Sequence, residues 1–266
     1  MADPIFKGSM PALYDEYLGP VAFAPYAAET AQRVKIFNPN RLLETACGTG
    51  ILTYAIADTL ASNAEIVATD LSQPMLDFAA AKRSTSSVLW RQADAQALPF
   101  DDAAFDIVVC QFGVMFFPDK AKGFDEARRI LKPGGHFLFV VWDSFERNEL
   151  PRTSAEAIAT MFQDDPPTFV RRVPYGYNDE PTIRTQLRDA RFNDVAVDRV
   201  AITLNVPGAR EYAIGAVQGG PARNEIEQRD PTALGRATEV ATLAIAKHFG
   251  PGPFKAASQA LFVTAS

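Results

Sequence analysis

One stretch constrains this chain more than any other. Leu42-Leu43-Glu44-Thr45-Ala46-Cys47-Gly48-Thr49-Gly50 is an apolar run that stops at an acid and turns through two glycines into the helix-like segment Ile51–Leu60. Gly48 and Gly50 tolerate backbone angles that other residues resist, and without side chains they let a ligand approach the main chain to van der Waals distance. A turn of this kind marks a nucleotide-type site, and its neighbours decide which ligand fits. A dinucleotide fold wants a third small residue at position 53, to pack helix on strand and leave the helix N-terminus open to pyrophosphate. Position 53 is Thr. Glu44, at the strand end, repels phosphate and attracts a cationic amino-acid group.

The rest of the chain alternates strand-like and helix-like segments, without repeats or low-complexity tracts. Arg41–Thr45 reads as a strand, Ile51–Leu60 as a helix, Glu65–Asp70 as a second strand and Gln73–Ala81 as a helix. Val88–Ala93 is a third strand, and Phe105–Cys110 is a continuous apolar run of the kind buried on both faces of a parallel sheet, which makes it central. Ala121–Leu131 carries a helical pattern that Lys132-Pro133-Gly134-Gly135 breaks before a fifth strand, Phe137–Trp142. Residues 11–37, rich in Tyr and Ala, suit one or two helices. Residues 146–190 read as mainly helical with a break at Asp165-Pro166-Pro167, Val195–Leu204 as a strand, 207–249 as helical and Ala256–Ala265 as a last strand. The expected fold is α/β: a doubly wound sheet with helical cap segments, the last inserted between the final two strands.

Composition narrows the function classes. A chain of 266 residues, 47% apolar, has ample material for a core. A net charge of -6 without a dense Lys/Arg block disfavours nucleic acid, whose binding rests on neutralising phosphates. The segment Met1–Met10 lacks a basic-then-apolar leader pattern and no apolar run reaches the ~20 residues that span a bilayer, so a cytoplasmic location and no membrane insertion are expected. Two cysteines, Cys47 and Cys110, make no disulfide framework, and with only His136 and His248 no zinc cluster is recognisable. Both cysteines read as small buried hydrophobes. His136 sits at the strand end away from any ligand, and His248 reads as a charge partner at a helix C-terminus.

Four segments together resemble the class I S-adenosylmethionine-dependent methyltransferases, most closely the branch of the quinone-biosynthesis enzymes. They are LLETACGTG, the ATD ending at Asp70, QADAQALPF and CQFGVMFF, and the structural stretch LKPGGHFLFVVW completes the resemblance, all within residues 40–143. The resemblance implies one methyltransferase domain over 1–266, with a Rossmann-like, seven-stranded, mostly parallel sheet. In it 1–37 form N-terminal cap helices, 40–143 the cofactor-binding core, 146–190 and 207–250 helical substrate segments, and 195–204 and 256–265 the last strands. Ala46 stands where the family has a first glycine, a mild departure, since Ala is nearly as small.

By the same resemblance the turn at Ala46, Gly48 and Gly50 passes beneath the methionine part of S-adenosylmethionine, with Glu44 near its ammonium. Asp70, twenty residues beyond Gly50, accepts from both ribose hydroxyls; as a bare sequence feature it is equally a surface acid or N-cap. Leu71 and Met75 pack on the adenine, Met75 being otherwise an ordinary core residue. Asp94 accepts from the adenine amino group and the Ala95 N–H meets the ring; the alternative is an acid in an exposed turn. Backbone around Cys110 and Gln111 contacts the methionine end, and Met115, Phe116 and Phe117 line an apolar acceptor pocket or simply pack. Tyr14 and Tyr17 shield the sulfonium or pack. The activity implied is methyl transfer to a small apolar or aromatic acceptor by in-line displacement, leaving S-adenosylhomocysteine. No general base stands out and no metal is expected. A non-catalytic cofactor-sensing module is the alternative, and the sequence leaves the oligomeric state open.

Overall fold

The computed structural model describes residues 6, 8–61, 63–83 and 87–266; the remainder of the 1–37 segment lies outside the described residues. Helix α1 (Met10–Leu13) runs through a π-helical stretch (Tyr14–Phe23) into α2 (Ala24–Phe37). There follow β1 (Arg41–Thr45), α3 (Ile51–Thr59), β2 (Glu65–Asp70), α4 (Gln73–Lys82), β3 (Val88–Gln92), β4 (Phe105–Gln111), α5 (Lys120–Ile130) and β5 (Leu131–Trp142). The second half holds α6 (Glu149–Ala159), α7 (Phe169–Arg172), α8 (Glu180–Asp189), β6 (Val195–Val206), α9 (Ala209–Ile214), a π-helical stretch (Gly215–Gly219), α10 (Ala222–Arg229), α11 (Leu234–Phe249) and β7 (Phe254–Ala265).

The strands form one seven-stranded sheet of order β3-β2-β1-β4-β5-β7-β6. The first five are mutually parallel, and β7 pairs antiparallel with β5, Phe137 opposite Ala265 through Trp142 opposite Ala260. The Phe105–Gln111 run is central: Ile107, Val108, Val109 and Cys110 are fully buried. Burying each large aliphatic side chain contributes roughly 1.5–3 kcal/mol. The expected helical insertion between the last two strands is present as α9, α10 and α11.

One boundary differs. The Lys132–Gly135 stretch was expected to be a turn before the fifth strand, yet β5 begins at Leu131 and contains it. The pairing with β4 breaks register between Phe105 and Ile107, where Gly134 takes φ 77°. Asp106 occupies the break; its carboxylate accepts from the Asn40 and Arg41 N–H groups at 3.0 and 2.8 Å and from Lys132 Nζ at 2.7 Å. A bulge held by side-chain bonds lets the strand start early.

The chain divides into two compact units. One comprises Tyr26–Trp142, Tyr177–Val200 and Ala260–Ser266 and contains the parallel sheet. Its α5 starts at the Asp119 cap, whose carboxylate accepts from the Lys122 N–H at 3.1 Å, and ends in Arg128 and Arg129, which suit the negative helix end. The other comprises the described residues up to Pro25, Asp143–Gly176 and Ala201–Gln259. Its core is built on α11, whose Ala237, Ala241 and Ile245 recur every four residues and are fully buried, with α6 and α9 against it. Among the described residues no helix is long and apolar enough to cross a membrane.

Candidate functional site

Strand order creates the site before any side chain is considered. From β1 the connections run outward to β2 and β3 on one side, and from β4 to β5 on the other, so the carboxyl ends of β1 and β4 flank a topological switch point. Open α/β sheets bind ligands in that crevice. The glycine turn leaves β1 there. The Cys47 N–H donates to the Thr69 carbonyl at 3.0 Å, the Gly50 N–H to the Cys47 carbonyl at 3.0 Å, and α3 begins at Gly50 without a side-chain cap.

The two glycines have different reasons to be glycine. Gly50, at φ 77°, lies under Trp90, Ala79 and Tyr54; a Cβ there would come within 2.9 Å of the Trp90 ring. Gly48, at φ 55°, faces open space, with nothing within 4 Å of where its Cβ would be. Packing excludes a side chain at Gly50, and at Gly48 the conformation disfavours one while the space stays free for a ligand.

Ala46 corrects an expectation. Its departure from glycine is mild in size but not in backbone, because it sits at φ 53°, a left-handed conformation that costs an L-residue about 1–2 kcal/mol. Its methyl fills a gap left by Gly113, whose own Cβ would lie 2.5 Å from it. Phe112, beside Gly113, is also left-handed at φ 55°; its ring stacks on Trp142 at 3.8 Å and meets Tyr26 edge-on at 5.4 Å. Two left-handed residues thus lie next to Gly113 at the switch point, Phe112 before it in sequence and Ala46 against its Cβ position, a place where folds tend to concentrate strain.

Asp70 latches the turn. One carboxylate oxygen accepts from the Gly48 N–H at 2.8 Å and the other from the Ser72 N–H at 2.8 Å. Burial pushes its carboxyl above the usual Asp range, against the pull of these backbone donors. Leu71, next to it, is 58% exposed, while Met75 is buried.

Glu44 is 1% exposed, and its Oε2 accepts from the Thr53 hydroxyl at 2.6 Å. Burial pushes its carboxyl up to about 8, with a further push from Asp70 and an opposing pull from Thr53. Charge alone had suggested an anion at the strand end; in the ligand-free protein the carboxyl is mostly protonated at pH 7. Thr53 is a residue that sequence reasoning missed. It counted only as an absent glycine, although a hydroxyl one turn into the helix was the available signal for a partner to the strand-end acid.

After β3, Asp94 closes a short turn: Oδ1 accepts from the Gln96 N–H at 2.9 Å, and the Ala97 N–H donates to the Asp94 carbonyl at 2.9 Å. Asp94 and Ala95 are half-buried. At the end of β4, the Gln111 amide meets the Thr30 hydroxyl on α2 at 2.9 Å, a contact with no sequence signal. The Cys110 thiol is pushed up to about 12 and the Cys47 thiol well above its ordinary value, both by burial, so neither is an activated nucleophile. Met115 and Phe117 are buried, the latter against Gly123 of α5, and Phe116 is partly exposed. Lys120 Nζ donates to the Phe117 carbonyl at 3.1 Å. Two hydroxyls near the turn, Thr49 Oγ1 and Ser72 Oγ, are buried without a partner among the described residues.

Tyr14 and Tyr17 belong to the helical unit. Tyr14 stacks on Phe23 at 4.7 Å within the first π-helical stretch, and the Tyr17 Cβ lies 2.8 Å from where a Cβ on Gly215 of the second would be. His136 lies against Phe37 at 4.3 Å, and His248 Nε2 is 3.2 Å from Glu149. A surface concavity of about 360 Å³ lined by Met161, Arg236, Glu239 and Val240 also lies in the helical unit and contains none of the expected site residues. Among the described residues no group of three or more His, Cys, Asp or Glu stands ready for a metal ion.

Comparison with known proteins agrees with this geometry. Residues 43–139 match the model of a methyltransferase domain. The demethylmenaquinone methyltransferase of Lactiplantibacillus plantarum is 36% identical over 41% of this chain and 48% of its own length. The ubiquinone/menaquinone biosynthesis C-methyltransferase UbiE of Francisella philomiragia is 26% identical over 63% of this chain and 72% of its own. The chain spans about half the length of the first curated relatives it matches. Among solved structures, the YcgJ protein of Bacillus subtilis shares the fold with a TM-score of 0.58 at 16% identity, covering 91% of this chain and 97% of that one. Phosphoethanolamine N-methyltransferase 2 of Haemonchus contortus, in complex with phosphomonomethylethanolamine and S-adenosylhomocysteine, aligns with a TM-score of 0.55 at 19% identity, over 89% of this chain and 52% of that one. Sheet order, glycine turn and matched domain converge: residues 43–139 match a methyltransferase domain, the sheet has the fold of solved methyltransferases, and the relatives that the chain resembles include quinone-biosynthesis methyltransferases.

Proposed function

We propose that the protein transfers a methyl group to a small apolar or aromatic acceptor by in-line displacement. The observation that carries the reading is the open space over Gly48, bounded by a turn that Asp70 holds in place. The residues fit the cofactor: backbone at Gly48 and Gly50 lies under its methionine part, with Ala46 shaping the same turn. The Asp70 oxygens keep lone pairs for the ribose diol. Leu71 and Met75 would pack on the adenine. Asp94 and the Ala95 N–H take the adenine edge, the Glu44 carboxyl takes the ammonium, and backbone at Cys110 and Gln111 borders the methionine end.

When bound, S-adenosylmethionine supplies a methyl group already activated on a sulfonium. The protein's task is therefore alignment and exclusion of water, and orienting two groups lowers a barrier by as much as ~7–11 kcal/mol. The strained Phe112, held by the Trp142 stack, and the neighbouring Met115, Phe116 and Phe117 supply an apolar surface at the edge where the acceptor enters. An apolar or aromatic acceptor suits that surface, as do the quinone precursors implied by the relatives' names. No observation favours the alternative of a non-catalytic sensor.

Calorimetry with S-adenosylhomocysteine and a mass-spectrometric assay on a panel that includes a reduced demethylquinone test the reading. The wild type should bind the product and methylate an apolar member. Gly48→Arg, which fills the open space at a left-handed position, should bind more than 100-fold more weakly. Unchanged binding by Gly48→Arg sinks the cofactor placement, and turnover confined to charged, non-aromatic acceptors sinks the acceptor class.

A further inference from the structure

Thr53 holds a buried carboxyl that no other described residue holds. Glu44 Oε2 takes the Thr53 hydroxyl at 2.6 Å, and no described residue donates to Oε1. Thr53 is fully buried, and as a residue in the first turn of α3 its hydroxyl reaches across to the strand instead of bonding its own helix, the usual habit of helical threonines. Among the described residues the titratable groups that interact with Glu44 are Asp70 at the end of β2, Cys47 in the turn and Cys110 at the end of β4, none of them basic. Lys82, on α4, bonds the Thr49 carbonyl at 3.4 Å. A fully buried carboxyl with one donor, one empty oxygen and only acids and thiols around it lacks a cation.

We propose that Thr53 is a positioning residue: its hydroxyl clamps Glu44 Oε2 and leaves Oε1, as a carboxylate, for the ammonium group of the cofactor's amino-acid end. The proposal rests on the cofactor reading above. The ligand-free carboxyl is mostly protonated at pH 7, so a cationic ligand group drives the proton off. Binding of a ligand with an ammonium is then coupled to proton release, and affinity rises with pH until Glu44 is already ionised in the free protein, near pH 8. A ligand without that group binds with no such coupling.

Titration calorimetry on the full chain at pH 6–7.5, in pairs of buffers differing in ionisation enthalpy, tests this. The wild type should release about one proton on binding S-adenosylhomocysteine and none on binding 5′-methylthioadenosine, which lacks the amino-acid end. Thr53→Val should bind S-adenosylhomocysteine about tenfold or more weakly at pH 7, with the rise in affinity moved to higher pH, and bind 5′-methylthioadenosine as the wild type does. Thr53→Ser should restore wild-type behaviour for both. Wild-type affinity and pH profile in Thr53→Val overturn the proposal, as does equal proton release with the two ligands. If Thr53→Val fails to fold, the wild-type proton count and Thr53→Ser decide it, and zero release by the wild type overturns it. Binding of neither ligand by the wild type instead overturns the cofactor reading on which it stands.

Discussion

Glu44 in the sheet unit and Asn148 in the helical unit are both buried polar side chains, and they are satisfied in opposite ways. Asn148 is saturated. Its Nδ2 donates to the carbonyls of Asp143, Ser144 and Gln259 at 3.3, 3.1 and 3.0 Å, and its Oδ1 accepts from the Ser258 hydroxyl and the Gln259 N–H at 2.8 and 3.1 Å. The Glu44 carboxyl has one donor among the described residues. A buried polar group whose bonds are all made within the protein is a structural rivet, and one left short is where a ligand completes the arrangement. Among the described residues the turn carries Thr49 Oγ1 without a partner, while buried Ser258 in the helical unit is engaged and Arg152 Nε there is not.

If the contrast is right, substitutions on its two sides should separate stability from binding. The largest effect belongs to Asn148→Leu, which strands three carbonyls and should lower unfolding free energy by ~3–5 kcal/mol while leaving the S-adenosylhomocysteine affinity of the folded fraction unchanged; denaturant melts and calorimetry would show it. Loss of binding without loss of stability would break the comparison. Gly113→Ala comes next, at about 1–3 kcal/mol destabilising, because its methyl would meet both the Ala46 Cβ at 2.5 Å and the Cys110 sulfur at 2.6 Å. Part of that loss should return in Ala46→Gly/Gly113→Ala, and a strictly additive double-mutant cycle would refute the contact.

A third expectation concerns pH. The Glu44 carboxyl titrates near its ordinary 4.5 when unfolded and near 8 when folded and ligand-free, so between those values the folded state holds more protons. Its stabilising contribution is complete below about 4.5 and is lost as pH rises towards 8, with a slope of at most ~1.4 kcal/mol per pH unit. Glu44→Gln should flatten this part of the pH–stability curve, raise stability at pH 8 and weaken S-adenosylhomocysteine binding. An unchanged slope would show that another group titrates there. The smallest effect is Ala46→Gly alone: release of left-handed strain offsets the greater unfolded-state freedom of glycine, leaving stability within ~1 kcal/mol of wild type.

Much of the fold could be read from the chain because the information was local. The strands at Arg41–Thr45 and Glu65–Asp70 have the expected bounds, and Phe105–Gln111 is the buried centre that its unbroken apolar run implied. What escaped was non-local. The early start of β5 depends on Asp106 bonding residues far away in sequence, and the Thr30–Gln111 contact joins positions that no local pattern relates. Glycine spacing located the turn, but only packing shows that Gly50 is excluded from bearing a side chain by Trp90 while Gly48 faces open space.

Hydrophobic periodicity and residues with special backbone preferences act over a few neighbours, so the sequence by itself determined the alternation of strands and helices, the glycine turn and the acids that follow its strands. Protonation and strain depend on what surrounds a group in space. Tertiary structure alone decided that Glu44 is neutral without ligand, that Thr53 is its partner, and that Ala46 and Phe112 are held in left-handed conformations next to Gly113. Desolvation by distant chain segments sets the first, and packing that outweighs local preference sets the last.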